Sequence, residues 1–80
     1  RKLGLLKEAI ADATVVLQAE PMNSGMYNLR GLSKTYAGDL PAAIEDFTKA
    51  LQIEPTNNSM LQNRAVAYAL SGDMAASDKD

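Results

Sequence analysis

The stretch GDLPAAIEDFTKALQIEPTNN, Gly38 to Asn58, holds one helix with both ends marked. Its apolar residues fall at Leu40, Ala43, Ile44, Phe47, Ala50 and Leu51, the spacing that lines one side of a 3.6-residue helix. Gly38 and Asp39 mark its beginning. The Asp39 carboxylate is expected to accept from the first free amides, and Pro41 sits in the first turn, where its missing N–H leaves no carbonyl unserved. Pro55 ends the helix, because the residue before a proline, here Glu54, is pushed out of the α region.

The same punctuation recurs 34 residues away in both directions. Gly4, Gly38 and Gly72 keep this spacing, as do Pro21 and Pro55, Asn23 and Asn57, Arg30 and Arg64, and Asp12, Asp46 and Asp80. Sliding the chain on itself by 34 gives 17 identities in 46 aligned pairs, where composition alone would give about three, so the chain is an internal repeat. A second helix fits between Ser24 and Ala37 and another between Ser59 and Leu70, each closed by the next Gly-Asp turn. No segment alternates apolar and polar with period two, which leaves an all-α chain. Each helix pair is too small to cover its own apolar stripe, so neighbouring pairs are expected to stack.

Eighty residues allow one domain at most, and 46% hydrophobic with 22% charged residues belongs to a folded chain. The net charge is −2 and the basic residues are scattered among the acids, so nucleic acid is not an expected partner. The longest unbroken apolar run, Ala65 to Leu70, is far short of the roughly 20 residues of a membrane helix, so no membrane partner is expected either. Arg1 and Lys2 ahead of Leu3, Leu5 and Leu6 look like the start of a secretory signal, but Lys7 and Glu8 interrupt it. No targeting segment is expected, and the missing initiator Met points to an excised fragment. The absence of cysteine fits a reducing, cytoplasmic setting.

Catalysis needs a positioned base beside a nucleophile or metal, and the chain has neither His nor Cys. Its glycines recur at the repeat period instead of forming a phosphate-binding loop. No enzyme activity, cofactor or metal is expected. The small residues Ala9, Gly31, Ala43 and Ala65 are expected where helices approach closely, and Phe47, Leu17, Leu51, Tyr27 and Tyr68 in one core. Arg30 and Arg64 are expected to serve structural ion pairs, while Glu8 with Asp12 and Glu45 with Lys49 are solvated neighbours four residues apart.

The central unit offers Tyr27, Arg30, Gly31 and Lys34 in one helix, then Ala43, Phe47 and Pro55; the next offers Leu61, Arg64, Ala65 and Tyr68. In length and pattern this resembles the tetratricopeptide repeat (TPR) family, whose 34-residue signature runs Trp-x2-Leu-Gly-x2-Tyr, Ala-x3-Phe, Pro. Arg30, Lys34 and Ser77 depart from that signature. The likeness spans the chain: 1–23 as the C-terminal part of one repeat, 24–57 as a complete repeat, and 58–80 as the N-terminal part of a third.

The resemblance implies a right-handed α-solenoid of antiparallel helix pairs, acting as a non-catalytic scaffold that binds a partner peptide or helix in its concave groove. First helices line that groove. Its residues here would be Asn28, Leu32, Thr35 and Tyr36 from one helix, with Gln62, Asn63, Val66, Ala69 and Leu70 from the other. Leu32 with Val66 and Tyr36 with Leu70 are 34 apart and would align as an apolar strip suited to an amphipathic helix. Two other readings stand beside it. In one, these side chains pack within a structural spacer. In the other, a clamp grips acidic chaperone tails; Asn63-Arg64 resembles part of it, but Asn28 and Leu32 stand where a Lys and an Asn are required. Incomplete repeats at both ends also imply self-association.

Overall fold

The computed structural model describes the backbone of residues 2–79 and the side chains of residues 4–71. Four helices follow one another: α1 (Lys2–Ala19), α2 (Ser24–Ala37), α3 (Leu40–Ile53) and α4 (Asn58–Lys79). The described residues contain no strand, and the chain is all-α. The expected helices Ser24 to Ala37 and Leu40 onward are present with those bounds.

Two turns of the same design join α1 to α2 and α3 to α4. In Glu20-Pro21-Met22-Asn23 the Asn23 N–H donates to the Glu20 carbonyl at 3.1 Å, and in Glu54-Pro55-Thr56-Asn57 the Asn57 N–H donates to Glu54 at 3.2 Å. Each Asn Oδ1 then accepts from the amide three residues on, Met26 or Met60, at 3.1 Å. Each Asn Nδ2 donates to its Glu carboxylate, at 2.8 Å in the first turn and 3.1 Å in the second. The proline stops one helix, with Glu54 extended at φ −127, ψ 79, and the asparagine caps the next. Ser24, at the head of α2, donates to the Glu54 carboxylate and so ties two turns together. That bond, with the one from Asn57, holds the Glu54 carboxyl below its ordinary pKa.

The α2–α3 reversal is built differently. Gly38 has φ 90, a left-handed conformation that a side chain would strain. Its N–H donates to the Thr35 carbonyl at 3.1 Å, and the Asp39 N–H donates to Lys34 at 2.9 Å, which satisfies the last carbonyls of α2. The expected Asp39 side-chain cap is absent. Its backbone carbonyl accepts from Ala43 instead, and Pro41 in the first turn leaves one fewer amide to serve.

The other two glycines of the series do not turn. Gly4 lies inside α1, and α4 runs through Gly72 and Asp73 instead of closing near Leu70. Glycine permits a reversal without imposing one. At Gly38 the reversal brings Ala43, Phe47 and Ala50 into burial. The side chains of Ser77 and Asp80, which the repeat pattern singles out, lie outside the described residues.

Each helix packs on the next in sequence, and α2 and α4 also touch along one side. The resulting body is flat, 41 × 33 × 17 Å. Phe47 is fully buried at its centre with Ala43 and Ala67, flanked by Leu32, Leu40 and Ile44. Ala50, Leu51 and Met60 form a second cluster against Tyr27. Gly31 admits the Phe47 ring: a Cβ there would lie 2.7 to 3.0 Å from three ring atoms. Leu17 is buried as expected, but two expectations fail, since Ala65 is exposed and Tyr68 is 50% exposed. These residues stand on α4 where Gly31 and Lys34 stand on α2. On α2 that face is covered by α3; on α4 no described helix covers it.

Candidate functional site

α2 and α4 run side by side, and between them lies a cleft of about 360 Å³ lined by Leu32, Thr35, Tyr36, Asn63, Val66 and Leu70. All six belong to the set expected from the sequence. Of the remaining three, Asn28 is half-buried and accepts a hydrogen bond from Asn63 Nδ2 at 3.0 Å, closing one end of the cleft with paired amides. Gln62 and Ala69 are exposed on α4 and do not line it.

The cleft is apolar by construction. Tyr36, Val66 and Leu70 are 75%, 53% and 58% exposed, so three neighbouring side chains leave apolar surface open to solvent. Leu32 forms the floor and packs down onto the Phe47 cluster, so the cleft is anchored to the core. The Thr35 hydroxyl donates to the Gly31 carbonyl at 2.8 Å and is thereby taken up within its own helix. Such a surface removes apolar side chains from water and offers a few amide groups for orientation. No Asp, Glu, His, Cys, Lys or Arg lines it.

The cations of α2 are engaged elsewhere. Asp46 is 2% exposed in the α2–α3 interface, and Arg30 grips it with two hydrogen bonds of 2.8 Å, from Nε and from the guanidinium tip. Lys34 Nζ lies 3.0 Å from the same carboxylate. The bond to Asp46 holds Arg30 more firmly in its charged form. Arg30 also donates to the Thr14 hydroxyl at 3.0 Å, so one guanidinium joins α1, α2 and α3. Arg64 repeats part of this 34 residues later, donating to Thr48 at 3.3 Å. Structural pairing of Arg30 therefore stands, and neither Lys nor Arg lines the cleft to grip an acidic tail.

The sequence reading missed Asp46 and Thr14 as partners. A signal existed: an aspartate beside Phe47 on the buried stripe requires a cation from the facing helix, and Arg30 with Lys34 at i, i+4 supplies two. Glu8, Asp12, Glu45 and Lys49 are exposed, as expected of solvated charges. Among the described residues no cluster of metal-ligating side chains occurs, and no helix is long and apolar enough to cross a membrane. Neither a family model, nor a curated protein, nor a solved structure matches the chain.

Proposed function

We propose that the chain is a segment of a TPR-type solenoid and serves as a protein-interaction scaffold, receiving an apolar or amphipathic helical segment of a partner protein in the α2–α4 cleft. The observation that carries this reading is the meeting of Leu32, Tyr36, Val66 and Leu70 along one open cleft with a core-anchored floor. Residues 34 apart are brought together only if successive helix pairs stack in register, and a ligand helix recognises such a strip through side chains spaced three and four apart. The absence of charge on the cleft walls favours an apolar ligand face over an acidic tail.

Partners captured from a lysate by the chain should be lost when Tyr36 and Leu70 are both replaced by serine. Both side chains are exposed, so the helical CD signal should be unchanged. A partner that survives these changes, and also Leu32→Ser and Val66→Ser, would place the contact on another face. The structural-spacer reading predicts no captured partner at all.

A further inference from the structure

We propose that the partner helix enters the α2–α4 cleft from its Tyr36 and Leu70 end and stops against the Asn28–Asn63 amides, presenting its C-terminal end to them. The proposal rests on the reading that the cleft receives a helix, and adds which end of that helix is recognised.

The two ends of the cleft differ. α2 and α4 run parallel, since Asn28 meets Asn63 and, further along both helices, Leu32 and Tyr36 share the cleft with Val66 and Leu70. The far end is bounded by the exposed side chains of Tyr36 and Leu70. At the near end Asn63 Nδ2 donates to Asn28 Oδ1 at 3.0 Å, and this bridge between the two walls is half-buried. A ligand helix that ran on past the bridge would lay its apolar face over the amides and leave them without partners. The strip from Asn28 to Tyr36 is about 12 Å long, room for about two turns of a ligand that ends at the bridge.

The bridge has hydrogen-bonding capacity to spare, mostly as donors. A side-chain amide carries a pair of N–H groups and a single oxygen. Asn63 commits one N–H to Asn28, Asn28 commits none among the described residues, and the Asn28 oxygen is already taken once. Exchanging nitrogen and oxygen on both side chains leaves the same surplus. Thr35, by contrast, spends its hydroxyl proton on the Gly31 carbonyl. The interior of a ligand helix offers such donors nothing, because its carbonyls are bonded within the helix. Its last turn does, since the final carbonyls have no partner in the helix. Its first turn presents N–H groups, which the donor-rich bridge serves poorly. A ligand ending by its C-terminus also lies antiparallel to α2 and α4, the arrangement in which neighbouring helix dipoles attract. Neither Lys nor Arg lines the cleft, so the group received is the neutral carbonyl and not a carboxylate.

The orientation of a peptide bound to the full 80-residue chain tests this. The probe is a synthetic alanine-rich peptide of about fourteen residues, blocked at both ends, with leucines three and four apart on one face. A nitroxide at its C-terminus is expected to broaden the side-chain amide signals of Asn28 and Asn63, and one at its N-terminus the methyl signals of Leu70. Asn28→Ala and Asn63→Ala should each weaken peptide binding about fivefold, as loss of a hydrogen bond does, with an unchanged helical CD signal. The orientation is read on the unaltered chain, so the test stands even if a variant unfolds. Broadening in the opposite sense would overturn the proposal, and so would an affinity indifferent to both asparagine changes. Where the Tyr36→Ser, Leu70→Ser double variant still abolishes binding, either of those results sinks this proposal alone. A chain that binds no such peptide sinks the cleft reading with it.

Discussion

Replacing Phe47 by alanine is expected to remove most of the stability of this chain. The ring is fully buried between Ala43, Ala67 and the Gly31 backbone, and three helices meet on it. A buried Phe→Ala change costs about 3–5 kcal/mol, through lost burial and the cavity left behind. At typical values per residue, a domain of this size holds about 4–12 kcal/mol in all. Urea unfolding followed by CD at neutral pH should show the midpoint collapse toward zero denaturant. A Phe47→Ala variant with a midpoint near that of the parent chain would show that Phe47 is not central to the core.

Asp46→Ala is expected to cost about 3 kcal/mol, because it strands Arg30 and Lys34 together in a mostly buried interface. Their side chains are 17% and 18% exposed, and this residual access to water sets the loss at the lower end of the range for broken buried pairs. Asp12 provides the internal control. It occupies the same place in the repeat but is exposed on α1, so Asp12→Ala should change stability by no more than about 0.5 kcal/mol. Two aspartates with the same register position would then differ severalfold in effect, solely because one is covered by a neighbouring helix. Equal losses at the two positions would contradict the described packing.

Much of this architecture is legible in the residues themselves. The stripe Ala43, Phe47, Ala50 and Leu51 is buried as its spacing demands, and the prolines at 21 and 55 stop α1 and α3. These features are local, set by helix periodicity and by chemistry within a few residues. The cleft residues came from the resemblance to a repeat family and not from local chemistry; Leu32 with Val66 and Tyr36 with Leu70 stand 34 apart and line one cleft. What local reasoning could not supply is context. Gly4, Gly38 and Gly72 look alike in the chain, yet among them only Gly38 takes the left-handed conformation and reverses direction, while Gly4 and Gly72 lie inside helices. Tyr68 and Ala65 look like core residues and are exposed because no described helix covers that face of α4. Asp46 reads as a mark of the period until α2 is laid against α3, whereupon it becomes the most buried charge among the described residues. Partners 16 residues apart, such as Arg30 and Asp46, depend on which helix faces meet.

The two Glu-Pro-x-Asn turns are an intermediate case. Their 34-residue spacing is visible in the sequence, but the reciprocal bonds that make each asparagine a cap emerge only from the geometry. Consistency of this kind, between turn chemistry and apolar spacing, is what lets a short chain specify one stacking arrangement.

Stacking of successive helix pairs in register is the claim on which the cleft depends, and nuclear Overhauser contacts of the Phe47 ring test it most directly. The ring protons should give cross-peaks both to the Gly31 α-protons on α2 and to the Ala67 methyl on α4, fixing α3 against both helices at once. Cross-peaks confined to residues of α3 itself, or leading to α1 in place of α4, would contradict the account.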